Sequence, residues 1–244
     1  MVLKTAPITE PLIIFEDRHL LVIQKFPGWL SQADGSSRPD VLEWGRKYLE
    51  VSGRKPGRAY IGLCHRLDLG AGGLMVLAKT SKAAQRLAVQ FRERTVCKYY
   101  LALVSGQPPQ DGHLEHNLRR AGDRTVLALA GEKSSRAVLE YETQAAGLWE
   151  NEAAAMLKVK LITGFKHQIR AQTAISGFPI IGDSRYGGRL NPSPLNPAIG
   201  LWACRLELTH PVERVIKTFL SYPAELWPWS AWAGRSCEEP DDDV

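Results

Sequence analysis

Apolar residues in this chain fall mostly into short runs and strict alternations, the two patterns that mark β-strands. Ile13-Ile14-Phe15 and Leu20-Leu21-Val22-Ile23 flank the polar turn Glu16-Asp17-Arg18 and predict two strands, the second stopped at Lys25-Phe26-Pro27-Gly28. Leu74-Met75-Val76-Leu77-Ala78 is apolar at every position, as a strand covered on both faces requires. Lys98 to Gly106 alternates, with Tyr100, Ala102 and Val104 on one face and Tyr99, Leu101 and Leu103 on the other. Further strands are expected at 125–129, at 137–141 and through the alternating Leu157, Val159 and Leu161.

Helical spacing is confined to three places. Val41, Leu42, Trp44, Tyr48 and Leu49 form one apolar face. Ala84, Leu87, Ala88 and Phe91 form a second, with Ser81 as the expected N-cap. Ala171 to Ser176 forms a third, closed by Gly177. Residues 32–39 are a polar loop, and the basic stretch 52–58 is another, for which a phosphate contact and a solvated connection are equally good readings. His113-x-x-His116 has a spacing a metal could use on a helix, but no acid or thiol cluster accompanies it, so a loop with two histidines is expected. Trp227, Trp229 and Trp232 are expected to pack the terminal segment onto the body.

Charge narrows the partner. The last seven residues hold five acids and no base, so removing them from a net charge of +5 leaves +10 on the remaining body, which suits a polyanion such as nucleic acid. A basic soluble enzyme would show the same excess. The acidic tail reads as disordered and solvated. No run approaches the ~18 apolar residues of a membrane span, and the N-terminus lacks the apolar core of a secretory signal. Cys64, Cys97, Cys204 and Cys237 are scattered without metal-type spacing, so a reduced cytoplasmic setting without disulfides or zinc is expected.

The most informative stretch is Cys64 to Lys79. It opens on His65, Arg66 and Asp68, crosses Gly70-Ala71-Gly72-Gly73 and enters the apolar strand. A carboxylate beside a glycine-rich approach is fixed while another backbone comes close. An Arg and an Asp two positions apart are, taken alone, usually a surface ion pair.

The stretch resembles the signature of the RluA-type pseudouridine synthases, in which this Asp is the catalytic residue. The resemblance extends through four more motifs in the family's order. They are the opening Lys25-x-Pro27-Gly28, the strand Lys98-x-Tyr100-x-Ala102-x-Val104-x-Gly106, and Thr163-Gly-Phe-Lys-His-Gln-Ile-Arg170 with Pro179 to Asp183 and Tyr186-Gly187 behind it. The last is Leu201-x-Ala-x-x-Leu-x-Leu-x-His210-Pro211, so residues 13–223 are covered. The pattern departs at Gly70-Ala71-Gly72, where relatives usually carry hydroxyls, at Phe165, where they usually carry Arg, and at Gln172, where His often stands.

The resemblance implies a single mixed α+β domain with a long central, largely antiparallel sheet flanked by helices and loops. Residues 1–12 would be an N-terminal extension, 13–235 the catalytic domain and 236–244 the acidic tail, with no S4 RNA-binding module in front. It implies uridine isomerisation in rRNA or tRNA without metal, nucleotide or redox cofactor, by a cytoplasmic monomer. Asp68 is the expected nucleophile or base, Arg170 its partner, Tyr100 the ring that stacks on uracil, and Arg66 the residue that fills the space of a flipped base. His65, His167, Lys98 and Lys166 complete the candidate substrate-binding set, with packing and hydrogen bonding the plainer reading of the two histidines. Two rivals stay open, a catalytically idle RNA-binding or RNA-folding relative and a carboxylate glycosidase acting on a free nucleoside.

Overall fold

The computed structural model describes residues 10–52, 59–188, 197–223 and 226–232. In chain order the elements are β1 (Leu12–Glu16), β2 (Leu20–Lys25), α1 (Val41–Val51), β3 (Gly62–Leu63), β4 (Gly72–Ala78) and α2 (Ser81–Glu93). There follow β5 (Cys97–Ser105), β6 (Asp111–Ala121), β7 (Arg124–Leu127), β8 (Ser135–Trp149), β9 (Glu152–Leu161), α3 (Gln168–Ile175), β10 (Leu201–Thr209) and β11 (Ile216–Leu220). All strands join one sheet in the order β1-β2-β4-β10-β5-β9-β8-β6-β7, with β3 on β4 and β11 on β10. Every pairing is antiparallel except a short parallel contact of β4 with β10, at Gly72 with Trp202 and Gly73 with Ala203. This is the mixed α+β sheet domain expected.

Alternation along β2 and β4 explains why both strands are apolar throughout. Leu21, Ile23, Met75 and Leu77 join the larger core on one face, with Val41 and Leu49 of α1. Leu20, Val22, Leu74 and Val76 face the other way, onto Ala83 and Leu87 of α2. The tryptophan reading holds as well. Trp229 and Trp232 lie in the core, and Trp227 meets Trp149 edge to face at 6.0 Å.

Several local expectations are corrected. The cap of α2 is Thr80, whose hydroxyl accepts from the Ala83 amide at 3.2 Å; Ser81 is already helical. Helix α3 begins three residues early, at Gln168, with His167 in the left-handed region at φ +54°. The 113–116 segment is not a loop but part of β6, which pairs with β8 from Asp111–Glu142 to Leu118–Ser135. Three positions apart on a strand, the two histidines point to opposite faces. Strand β8 runs well past 141, across a register shift near Thr143, and returns into β9 through Glu150 and Asn151, both at positive φ. That is a two-residue hairpin of the kind the sheet twist favours. Basic loop residues 53–58 and the acidic tail 236–244 lie outside the described residues.

Candidate active site

Asp68 sits in the loop entering β4, Tyr100 on β5 and Arg170 in the first turn of α3, so a loop, a strand and a helix deliver the site to one place. Arg170 is the junction. Its Nη1 donates to Asp68 Oδ2 at 2.9 Å, while Nε and Nη2 donate to the two oxygens of Asp183 at 2.6 and 2.8 Å. One guanidinium thereby binds one carboxylate bidentately and aims its last nitrogen at another, which no ammonium could do. Asp183 is buried, whereas the Asp68 side chain keeps 25% of its surface open. The partly open carboxylate is the one a substrate could reach; the buried one fixes the arginine. The Tyr186 ring covers the guanidinium from a further side, its centroid 5.1 Å away.

Tyr186 also orients His167. Its hydroxyl accepts the Thr125 amide at 2.7 Å and lies 2.9 Å from His167 Nδ1. That contact orients the ring and leaves Nε2 3.6 Å from Asp68 Oδ1. Burial lowers the His167 pKa against the pull of the Asp68 charge. A neutral imidazole therefore faces the carboxylate.

The loop around Asp68 is tied at successive backbone positions. Ser31 Oγ donates to Leu67 O at 2.8 Å and accepts from Leu67 N at 3.0 Å. Asp68 O accepts from Ala71 N, Leu69 O from Gly28 N, and Gly70 O from Ile199 N. Lys25 is fully buried beneath this loop, donating to Phe26 O, Trp29 O and Leu69 O at 3.2, 3.0 and 3.4 Å. Burial pushes its pKa down to about 7, against the upward pull of Asp68.

These groups open onto a cleft of about 770 Å³. Arg66, Lys98 and Lys166 line it together with Asp68, Tyr100, His167 and Arg170, so the candidates share one cavity. Arg66 is exposed at its mouth. Tyr100 is buried, and burial together with the Asp68 charge raises its phenol well above the ordinary value, so the ring is neutral at pH 7. His65 is turned inward. Its Nε2 accepts the Val76 amide at 3.0 Å, its ring stacks on Phe91 at 4.8 Å, and burial lowers its pKa to about 3. It holds the cleft wall to β4. Phe165 lines the cleft as well, its amide donating to Gln168 Oε1.

Sequence reasoning did not single out Lys25, Ser31, Asp183 or Tyr186 as site residues. The signal for Asp183 was an acid closing the apolar run Pro179-Ile-Ile-Gly; a carboxylate carried inward in that way needs a cation. Asp17, His210 and Glu213 also gather, within 4.8 Å of one another. Both His210 ring nitrogens are used there, Nε2 by Asp17 Oδ2 at 2.8 Å and Nδ1 by the Glu213 amide at 2.9 Å. That cluster ties two turns together far along the chain.

Comparison with known proteins fits this geometry. The family model for RNA pseudouridylate synthase matches residues 19–174. The chain is 36% identical over 208 residues to ribosomal large subunit pseudouridine synthase D of Nitrosomonas europaea, covering 82% of this chain and 58% of that protein. It is 32% identical over 211 residues to ribosomal large subunit pseudouridine synthase C of Escherichia coli K12, covering 82% and 62%. The chain thus spans about three fifths of the length of these relatives. In fold it is similar to human RNA pseudouridylate synthase domain containing 1, with a TM-score of 0.75 at 22% identity over 98% of this chain and 95% of that one. The matched segment carries the Asp68 loop, the Tyr100 strand and Arg170, and on that footing the chain belongs to the RNA pseudouridylate synthase family.

Proposed function

We propose that this protein isomerises uridine to pseudouridine in structured RNA, rRNA or tRNA, with Asp68 as its catalytic carboxylate. The observation that carries the reading is the half-open Asp68, held by Arg170 at the floor of a cleft lined by Arg66, Lys98 and Lys166. The reaction breaks the N1–C1′ bond, rotates the uracil and forms C5–C1′; the C5 hydrogen leaves to water and N1 takes up a proton. A carboxylate serves this at C1′, by trapping or stabilising developing positive charge, or as the base that receives a proton. Both roles need it oriented, which the Arg170 hydrogen bond supplies. Tyr100 stacks on the extruded base, and Arg66 occupies the space left in the RNA. Lys98 and Lys166 meet the phosphates, with His167 beside the carboxylate.

Residues 13–235 form the catalytic body, acting as a cytoplasmic monomer. Among the described residues no helix is long and apolar enough to cross a membrane. The idle RNA-binding alternative rested on Gly70-Ala71-Gly72 and Phe165. The two glycines have a packing reason. A Cβ on Gly70 would meet Pro197 O at 2.3 Å, and one on Gly72 would meet the Trp202 ring at 2.1 Å.

The test is tritium release from C5-labelled uridine in bulk rRNA and tRNA, comparing wild type with Asp68→Asn. Release that disappears in a folded, RNA-binding Asp68→Asn protein is expected. Salt-sensitive binding without release, even at enzyme excess, would establish the idle reading instead.

A further inference from the structure

Asp68 is the only member of the Asp68–Tyr100–Arg170 group carried by a loop rather than by a strand or helix. A loop carboxylate that must meet a reacting carbon within a fraction of an ångström needs a rigid backbone beneath it, because misplacement by 1 Å costs about 10²-fold in rate. The support lies in the segment 25–31. Ser31 is 5% exposed, and its hydroxyl engages both the amide and the carbonyl of Leu67, one residue before Asp68. Two bonds from one hydroxyl fix the orientation of both peptide units flanking Leu67. On the far side, Leu69 O receives the Gly28 amide and the Lys25 ammonium.

We propose that Ser31 is a positioning residue for Asp68, forming with Lys25 a clamp that grips the backbone on both sides of the carboxylate. The proposal rests on the isomerase reading for its catalytic consequence, but not for its structural one. Ser31 also lines the cleft, but its hydroxyl is spent on the two Leu67 bonds. Its hydroxyl also reaches Met75 Sδ at 3.9 Å, a weak contact that leaves the two Leu67 bonds as its main engagement. Alanine at this position removes a single oxygen and leaves the Leu67 amide and carbonyl without that partner, so the threonine variant and the melting temperature serve as the check on folding.

The experiment compares wild type, Ser31→Ala and Ser31→Thr. Single-turnover tritium release gives rate and half-saturation, filter binding gives RNA affinity, and hydrogen exchange is followed peptide by peptide. For Ser31→Ala the expected result is a rate lower by about 10- to 100-fold with RNA affinity within about threefold. Exchange should rise in the peptide covering 65–71 and stay unchanged elsewhere. Ser31→Thr, which keeps the hydroxyl, recovers the rate. Unchanged turnover in Ser31→Ala would overturn the proposal. So would exchange rising uniformly over the protein, or a Ser31→Thr variant of wild-type melting temperature that recovers nothing. If wild type itself releases no tritium, the isomerase reading falls, and the exchange pattern at 65–71 alone decides whether Ser31 holds the loop.

Discussion

Arg170 divides its guanidinium between Asp183, which is buried, and Asp68, which is not. The two carboxylates therefore separate stability from chemistry. Removing the Asp183 charge leaves a buried arginine half-paired, which costs about 3–5 kcal/mol by the usual reckoning for breaking one side of a buried pair. Removing the Asp68 charge leaves the bidentate pair intact, so it costs less than removing that of Asp183. Asp183→Asn is thus expected to melt well below wild type and to lose turnover as Arg170 drifts. Asp68→Asn should melt above Asp183→Asn, with no turnover. Urea unfolding beside tritium release separates them, and equal losses of stability in both would contradict this division.

Tyr100 offers both a ring and a hydroxyl, and the burial that keeps the phenol protonated also keeps it from acting as a base at neutral pH. Tyr100→Phe preserves the ring, so RNA affinity should stay within about threefold. If the hydroxyl delivers or relays a proton during rotation of the base, turnover falls by about 10²-fold or more, as for loss of a general acid. The expected outcome is that split, with affinity kept and turnover lost. Unchanged turnover in Tyr100→Phe would reduce Tyr100 to its ring and remove the hydroxyl from the proton transfer.

The glycines after Asp68 invite a third test. A Cβ on Gly72 would sit 2.1 Å from Trp202 Cζ3, and that indole is pinned by its Nε1 donating to Ser221 O at 3.2 Å and approaching Ser221 Oγ at 3.1 Å. The ring has nowhere to go. Gly72→Ser, which brings back a hydroxyl of the kind seen in relatives, should therefore destabilise by about 1–3 kcal/mol through overpacking. For a chain of this size that lowers the melting temperature by about 2–4 °C per kcal/mol. A Gly72→Ser protein as stable as wild type would show that Trp202 does not set this position.

That case also shows where sequence reading stopped. The resemblance located Asp68, Tyr100 and Arg170, and the fold brings them together although Asp68 and Arg170 stand 102 positions apart. Strands β2 and β4 were visible as short apolar runs and β5 by its alternation, whereas β10 came from the resemblance. Strand β6 was hidden because its more buried face includes Gly112 and His116, which break the apolar alternation. There His116 Nδ1 lies 3.2 Å from Gln172 Nε2 of α3, a contact between strand and helix that no local pattern encodes. The absent hydroxyls at 70–72 read as lost contacts, when the reason is the close approach of residues some 130 positions later. Lys25 looked like a strand stop, since nothing local shows that a lysine will be buried on three carbonyls.

The two cleft histidines give the protein an acid sensitivity whose sign follows from their burial. His65 accepts the Val76 amide through Nε2, and burial, aided by the Lys98 charge, lowers it from the ordinary 6.5 to about 3. His167 is lowered as well, by burial first and then by Arg170, Lys166 and Arg185, with Asp68 opposing. In the unfolded chain both titrate near 6.5, so below that pH the unfolded state takes up protons that the native state refuses. The stabilisation from the neutral imidazoles is complete above about pH 6.5 and is lost as pH falls towards the native values, with a slope of about 1.4 kcal/mol per pH unit for each histidine. Urea unfolding at intervals from pH 7.5 to 4.5 should show that decline. His65→Gln keeps an acceptor for the Val76 amide but cannot be protonated, so its slope should be smaller by close to one proton. An identical slope in wild type and His65→Gln would mean that His65 is not excluded from protonation in the fold.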